Sequence, residues 1–182
     1  MKPDDILITK RLILRPVRMT DALLIQRVFP RWHMARYLSQ VPWPYPKNGA
    51  VKFLRATALP AMKRGADWMW AITLKTGGDE LRGIIHLRKG KTNRGFWIAP
   101  ALQGQGLMTE AVVAVNDFAF QKAGFKKLII SNAKPNYGST RVKEKTAARL
   151  IGRGRERFVA GVLPTEVWEL TKEDWEGWSS KK

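Results

Sequence analysis

One stretch constrains the fold of this chain more than any other: Trp97 to Val112, reading W-I-A-P-A-L-Q-G-Q-G-L-M-T-E-A-V. It runs from strand-like into helix-like sequence through a loop punctuated by glycines. Arg94-Gly95-Phe96-Trp97-Ile98 carries the aromatic and β-branched types that suit a pleated strand, and Pro100 ends that pattern. Beyond the loop, Leu107, Met108, Ala111, Val112, Val115, Phe118 and Ala119 recur at helical spacing, with Glu110, Asn116, Asp117, Gln121 and Lys122 mostly opposite. Gly104 and Gly106 lack a Cβ, so they tolerate positive φ and let main-chain amides approach a ligand. Free N–H groups leading into a helix N-terminus form an anion cradle, suited above all to phosphate.

The spacing excludes two nucleotide motifs. A dinucleotide fingerprint needs a third glycine where Thr109 stands. Gly90-Lys91-Thr92 resembles the end of a P-loop, but the required earlier glycine falls on Ile85. On spacing alone, G-x-G is equally a strand-to-helix turn with no ligand.

The neighbours of that loop decide between these readings. Gln103-Gly104-Gln105-Gly106-Leu107-Met108, followed by Thr109-Glu110-Ala111, resembles the acetyl-coenzyme A loop of the GNAT acetyltransferases, Q/R-x-x-G-x-G/A. The form G-x-G-x-x-T-E-A is similar to their RimJ/RimL-type branch, which acetylates amines including protein N-termini. Asn136-Tyr137-Gly138-Ser139-Thr140-Arg141-Val142-Lys143-Glu144-Lys145 resembles that branch's second signature, N-x-x-S-x-x-V-x-E-K. Two signatures in this order are far more specific than either alone. The chain departs from the pattern at Met108, where a small residue is usual, and at Thr146-Ala147-Ala148, where E-K-x-G-F would end.

The resemblance implies an α/β (α+β) GNAT fold. Its central sheet is mixed but mostly antiparallel, of about seven strands, with flanking helices and a splayed parallel strand pair. It also implies acetyl-coenzyme A as cosubstrate, with Trp97, Ile98, Gln103, Gly104, Gln105, Gly106, Leu107, Met108, Thr109, Asn136, Ser139, Arg141 and Lys143 as cofactor contacts.

Composition fits that expectation without proving it. A chain of 182 residues with 45% hydrophobic residues suits one globular domain, 1–182, ending in a polar tail over 171–182. Cysteine is absent, which excludes disulfides, thiolate metal sites and a cysteine nucleophile. His33 and His86 are far apart, so no metal is expected. No apolar run approaches the roughly 18 residues of a membrane helix. The first residues, with Asp4, Asp5, Lys10 and Arg11 among short apolar pieces, lack a signal-peptide core, so the expected location is cytoplasmic. A balance of 33 Lys plus Arg against 15 Asp plus Glu, +18, suits polyanionic coenzyme A and solubility. It suits a ribosome or another acidic partner as well. The densest basic patch is Arg141, Lys143, Lys145, Arg149, Arg153, Arg155 and Arg157.

Along the chain, Ile6 to Arg15 alternates as an edge-like strand, and Thr20-Asp21 is a helix cap for a run to Phe29. Arg31 to Tyr37 reads as a short helix, and prolines forbid regular structure over Val41 to Pro46. Asn48 begins a helix to Lys63, kinked or ended near Pro60. Trp32, Tyr37, Trp43 and Tyr45 are candidates to line an acceptor site or to anchor the core. Trp68 to Leu74, Leu81 to Arg88 and Gly95 to Ile98 form an antiparallel meander, broken at Gly77-Gly78-Asp79 and Gly90 to Asn93. The coenzyme helix stops at Gly124, and Lys127 to Ser131 is the next strand. Ser139 to Ala148 reads as a helix, Leu150 to Val159 with Glu166 to Leu170 as a hairpin, and Trp175 to Lys182 as the tail. Trp43 or Trp178 would mark a dimer contact, and the chain is a monomer or homodimer.

Acetyl transfer needs a neutral amine, donors for an oxyanion and a proton donor for the departing thiolate. An N-terminal amine, with a pKa of about 8 against about 10.4 for lysine, needs little base assistance. By the resemblance, main-chain N–H groups at Ile98 or its neighbour meet the oxyanion. Ser139 is the proton donor, and it is equally a helix N-cap. Tyr137 is a second-choice donor. His86 is the candidate base or a structural histidine, and Glu110 caps or salt-bridges. The expected function is acetyl transfer by direct attack on acetyl-coenzyme A by a primary amine, either a protein N-terminus or a small molecule. The competing reading, from the charge, is a catalytically silent RNA- or ribosome-binding protein on the same scaffold.

Overall fold

The computed structural model describes residues 5–39 and 41–181, so Lys182 of the expected tail and the first four residues of the expected N-terminal stretch lie outside it. The first strand expected from Ile6 to Arg15 is instead a hairpin of β1 (Leu7–Ile8) and β2 (Leu12–Pro16). Thr9 makes the turn: its Oγ1 accepts the Leu12 N–H at 3.0 Å, and its own N–H donates to the Leu12 carbonyl at 3.0 Å. Only β1 is an edge. Leu12 and Leu14 are fully buried because β2 lies between β1 and β3 (Asp67–Leu74).

β3 continues through β4 (Gly83–Arg88) and β5 (Arg94–Ile98) as the expected antiparallel meander, giving the order β1-β2-β3-β4-β5. Alternation along β3 divides the core. Trp68, Trp70 and Ile72, with Ile85 and Leu87 of β4, pack beneath α5 (Leu107–Asp117). Met69, Ala71 and Ile84 face the other way, against α1 (Ala22–Val28) and α3 (Gly49–Phe53). Asp21, expected to cap α1, instead accepts the Arg18 N–H at 2.9 Å and takes the buried Arg15 guanidinium at 2.7 and 2.9 Å. A short α2 (Trp32–Ala35) follows α1, and a π-helical turn over Leu54–Ala58 joins α3 to α4 (Leu59–Lys63), whose second residue is Pro60.

A second sheet takes β6 (Lys127–Ala133), β7 (Arg149–Phe158) and β8 (Gly161–Thr171) in the order β6-β8-β7. The sheet expected as one unit of seven strands is thus divided into sheets of five and three, with antiparallel pairing in both. The helix expected over Ser139 to Ala148 is α6 (Tyr137–Glu144), shorter because Ala147 turns left-handed at φ 62° ahead of β7.

The expected polar tail is a packed helix, α7 (Lys172–Ser179). Thr171 caps it by accepting the Asp174 N–H at 3.1 Å. Trp175 is 1% exposed, and its Nε1 donates to Asp117 Oδ1 of α5 at 2.9 Å. T-K-E-D is a capping pattern, and tryptophans three apart share a helix face, so the polar composition concealed an anchored helix.

Candidate active site

Asn93 ties the two sheets together. Asn93 donates its main-chain N–H to the Ile129 carbonyl at 2.7 Å, while its Oδ1 accepts the Ile129 N–H at 2.6 Å. Its Nδ2 donates to the Arg88 carbonyl at 3.1 Å, taking the place of the main-chain donor that crossed to β6. Beyond this clasp β5 and β6 share no ladder, and a cleft opens along Phe96, Trp97 and Ile98 of β5.

The β4–β5 register fixes which groups face that cleft. The Arg88 N–H donates to the Asn93 carbonyl at 2.8 Å, and the Ala99 N–H donates to the Arg82 carbonyl at 2.7 Å. Antiparallel bonding uses alternate residues, so 95, 97 and 99 and the carbonyl of 93 bond to the β4 side, while the main-chain groups of Phe96 and Ile98 turn away from β4 toward the cleft. The Ile98 carbonyl accordingly accepts Gln103 Nε2 at 3.3 Å.

The glycine loop makes one wall. Gly104 and Gly106 adopt φ of 78° and 76°, and Gly106 is the N-cap of α5, with no side chain capping it. The first amides of α5 therefore lack intrahelical partners and face the loop. Arg11, from the β1–β2 hairpin, holds this loop: its Nη1 donates to the Gln105 carbonyl at 3.0 Å and its Nε to Glu110 Oε2 at 2.7 Å. Glu110 also accepts from Thr9 Oγ1 at 2.6 Å and the Arg11 N–H at 2.7 Å. Those donors hold the Glu110 carboxyl below its usual range against the opposing effect of burial, and it serves the hairpin rather than the cleft.

α6 makes the opposite wall. Asn136 caps it, accepting the Ser139 N–H at its carbonyl at 3.0 Å and at Oδ1 at 3.3 Å. Ser139 lines the cleft at 8% exposure. Lys143, one turn on, is fully buried, and its Nζ donates to Ser139 Oγ at 2.7 Å and to the Ser139 carbonyl at 3.3 Å. Burial, reinforced by Arg94 and opposed by Glu166, brings its ammonium well below the usual lysine range. A third side comes from α2 and the turn after it, with His33, Met34, Arg36, Tyr37 and Leu38. The β7–β8 turn closes on this segment, with Val159 N–H donating to the Leu38 carbonyl at 2.9 Å and Ala160 N–H to the Arg36 carbonyl at 3.1 Å. The cavity between these walls measures about 490 Å³.

Most of the residues singled out in the sequence gather here: Trp97, Ile98, Gln103, Gly104, Gly106, Leu107, Met108, Thr109, Asn136, Ser139 and Arg141. Three do not line the cavity. Gln105 folds back, its Nε2 donating to the Ala101 carbonyl at 2.9 Å. Lys143 cannot share a helix face with Arg141 two residues away, and Lys145, four away, is the cation that does. His86 lies on the α1–α3 side of the first sheet, its ring over Gly95, where an added Cβ would sit 2.6 Å from its Cε1. Its Nε2 is buried without a hydrogen-bond partner among the described residues, and burial, with Arg88 adding to it, pushes the imidazole down to about 4. Of the aromatic candidates only Tyr37 lines the cavity; Trp32 packs on Trp43 at 5.5 Å and Tyr45 on Phe29 at 5.2 Å.

Sequence reasoning missed the site roles of Arg11, Asn93 and Lys145, and of Met34, Arg36 and Leu38 beside the expected Tyr37. Only Lys145 had a readable signal, its helical spacing from Arg141.

Chemically, the cleft offers an uncapped helix with a left-handed glycine loop, the flanking cations Arg141 and Lys145, and apolar walls from Phe96, Ile98, Leu107, Met108 and Val142. That donor set fits an elongated ligand with a diphosphate and an uncharged arm, in a cavity of ordinary ligand-binding size. Among the described residues no group of three or more His, Asp or Glu is placed to hold a metal ion, and no helix is long and apolar enough to cross a membrane.

Known proteins share this chain's fold and part of its sequence. The sequence model of the acetyltransferase (GNAT) domain matches residues 11–149. A Bacillus subtilis (strain 168) protein named "Putative ribosomal N-acetyltransferase YdaF" is 27% identical over 89 residues, which is 48% of this chain and 49% of that protein. The chain thus spans about half the length of that curated relative. The ribosomal-protein-S5-alanine acetyltransferase of Vibrio fischeri superposes with a TM-score of 0.79 at 16% identity, over 94% of this chain and 99% of the other. RimJ of Mycobacterium smegmatis, solved with CoA-disulfide, gives 0.79 at 19% identity, over 94% and 89%. With the domain match running from β2 through the meander and the glycine loop to α6, the chain belongs to the GNAT acetyltransferase family.

Proposed function

We propose that this protein is an N-acetyltransferase that moves the acetyl group of acetyl-coenzyme A to a primary amine by direct attack in a ternary complex. The observation that carries the reading is the turn of the Ile98 main chain into a cleft that Ser139 lines from α6 and the glycine loop heads. Acetyl-coenzyme A supplies the activated acetyl thioester. Gly104, Gly106 and the first amides of α5 bind the diphosphate, with Arg141 and Lys145 adding charge. The Ile98 N–H donates to the oxygen on which negative charge develops, and Ser139 Oγ donates to the sulfur.

A dedicated base is unnecessary for an N-terminal amine, whose pKa of about 8 leaves a useful neutral fraction near pH 7. The relatives' names support a ribosomal protein as acceptor, and a net charge of +18 favours an amine carried on an acidic or ribosomal partner over a free cationic one. Residues 1–182 act as one catalytic unit in the cytoplasm, with α7 anchored on α5 through Trp175 and Asp117.

Calorimetric titration with acetyl-coenzyme A, followed by an acceptor screen read by thiol release and intact mass, tests the reading. Binding plus a gain of one acetyl group on an amine supports it; no binding at millimolar acetyl-coenzyme A overturns it.

A second reading keeps the scaffold and drops the catalysis. It is favoured by β7, an edge strand that exposes Arg149, Arg153, Arg155 and Arg157 with Leu150 and Ile151. It expects RNA association that falls steeply with salt and no acetyl transfer.

A further inference from the structure

Lys143 is the one lysine among the fully buried side chains of the described residues, and none of the steps proposed for acetyl transfer uses it. A buried ammonium is costly unless it serves its neighbours. Glu166 of β8 favours its charge and Arg94 of β5 opposes it, but both carry hydrogen bonds of their own: Glu166 accepts from Thr140 Oγ1 at 3.0 Å, and Arg94 Nη1 donates to Asn116 Oδ1. The hydrogen bonds that Lys143 Nζ itself makes, at 2.7 and 3.3 Å, go to Ser139.

That geometry controls one proton. While Nζ holds its proton, a state that burial and Arg94 oppose and Glu166 favours, the lysine only donates, so it occupies a lone pair of Ser139 Oγ and cannot accept the serine's hydrogen. A helical serine ordinarily turns its hydroxyl back onto its own helix or takes the N-cap role. Here the cap is Asn136, and the side of Oγ facing the helix interior is filled by Nζ. The hydroxyl hydrogen is left to point into the cleft that Ser139 lines.

We propose that Lys143 is a positioning residue for transfer: by donating to Ser139 Oγ from inside the fold, it fixes the serine hydroxyl as a donor into the cleft and strengthens its hydrogen bond to a sulfur that carries negative charge. No proton changes owner in this role. The inference rests on the acetyltransferase reading, extending it from the residue that touches the sulfur to the one that aims it.

The chain has no cysteine, so in a mixture with coenzyme A the cofactor thiol is the sole thiol present. Its alkylation by iodoacetamide across a pH series, with protein in excess, reports the acidity of the bound thiol without any acceptor or turnover. In wild-type protein the bound thiol should be more acidic than in Lys143→Met by about tenfold, the size expected for a hydrogen bond to a charged group. Ser139→Ala should show the same loss, and the double variant no further loss, because the lysine acts through the serine. Lys143→Gln, which keeps an N–H donor, should recover part of the effect. A purely structural lysine predicts that thiol acidity stays as in wild type in both Lys143→Met and Lys143→Gln, whatever either change does to stability. Equal thiol acidity in wild type and Lys143→Met, with both binding coenzyme A, overturns the inference and leaves the acetyltransferase reading standing. Failure of wild-type protein to bind coenzyme A overturns both. Should Lys143→Met not fold, Lys143→Gln decides: a partial loss of thiol acidity supports the inference, and acidity matching wild type overturns it.

Discussion

Asn93 and Ile129 hold the two sheets together through a reciprocal pair, main-chain N–H to carbonyl at 2.7 Å and side-chain Oδ1 to N–H at 2.6 Å. The cleft exists because pairing stops there. With Asn93 at 6% exposure, removing its amide strands the Ile129 N–H and the Arg88 carbonyl in a poorly solvated place. Asn93→Ala should therefore cost about 2 kcal/mol by urea unfolding, the range for unmade buried hydrogen bonds. It should also weaken coenzyme A binding in calorimetry, because the angle between the sheets loses its hinge. Full stability with intact binding would show that the clasp is incidental.

Gly106 sits at φ 76° with Arg11 Nη2 as the nearest neighbour of an added Cβ, at 3.6 Å, so space does not forbid a side chain there. Conformation does. A non-glycine residue in that region costs about 1–2 kcal/mol, which the loop relieves by moving its amides out of the cradle. Gly104→Val and Gly106→Val should each weaken coenzyme A binding by at least about tenfold while leaving the fold's circular dichroism unchanged.

Arg11 makes a different kind of contribution. Its ion pair with Glu110 is partly exposed, with side-chain exposures of 46% and 18%, so little stability is at stake, about 0.2–1 kcal/mol. Yet it also holds the Gln105 carbonyl between the two glycines at 3.0 Å. Arg11→Ala should change the unfolding midpoint slightly and raise the dissociation constant for coenzyme A by about threefold to tenfold, a split readable by calorimetry beside thermal melts.

His86 yields a prediction with a definite sign. Its ring is enclosed and its pKa falls from 6.5 to about 4, so the folded state resists protonation more than the unfolded chain does. Stability from this residue is complete above pH 6.5 and is lost as pH falls through that interval toward 4. The loss should reach about 3 kcal/mol at most, less to the extent that the half-buried residue keeps some water contact. His86→Gln should flatten this acid limb in urea unfolding at pH 7, 5.5 and 4.5. The pH dependence of transfer above pH 6 should stay as in wild type, because a group titrating near 4 stays neutral throughout that range. A transfer limb near neutrality that disappears in His86→Gln would restore the histidine as base.

What the sequence disclosed and what it withheld divide along physical lines. The meander, the glycine loop and α5 were legible because local signals agree there: a short, nearly continuous apolar run over Trp68 to Leu74, punctuation at Gly77-Gly78 and helical spacing from Leu107 to Val115. The β1–β2 hairpin was not, since Thr9-Lys10-Arg11 holds neither glycine nor proline, and the turn is made by the Thr9 side chain. At the site, motif positions gave the residues on the glycine loop and at Ser139. Residues whose roles depend on long-range contacts, Arg11 across to Glu110 and Asn93 across to Ile129, carry no local mark. Lys143 was assigned outward with the charges around it, whereas a place four residues from Ser139 on one helix face turns it inward.

Ala147 marks the end of α6 and tests the fold apart from its chemistry. In the family pattern a glycine closes this motif; here alanine takes φ 62° in its place, the one described non-glycine residue with positive φ. The turn is fixed from both sides: Thr146 Oγ1 donates to the Val142 carbonyl at 2.7 Å, and the Ala148 N–H donates to the Lys143 carbonyl at 3.2 Å. With the conformation imposed by neighbours, alanine bears the strain of a Cβ crowded against the following carbonyl, about 1–2 kcal/mol. Glycine would remove that strain while adding about 0.4–1 kcal/mol of unfolded-chain entropy cost. Ala147→Gly should thus stabilise the protein by up to about 1 kcal/mol, a rise of roughly 2–4 °C in melting temperature for a chain of this size. Ala147→Val should do the opposite by a larger amount, because a β-branched side chain fits the left-handed region worse than alanine. A glycine variant that melts below wild type would mean the strain is absent and the helix end relaxed in solution.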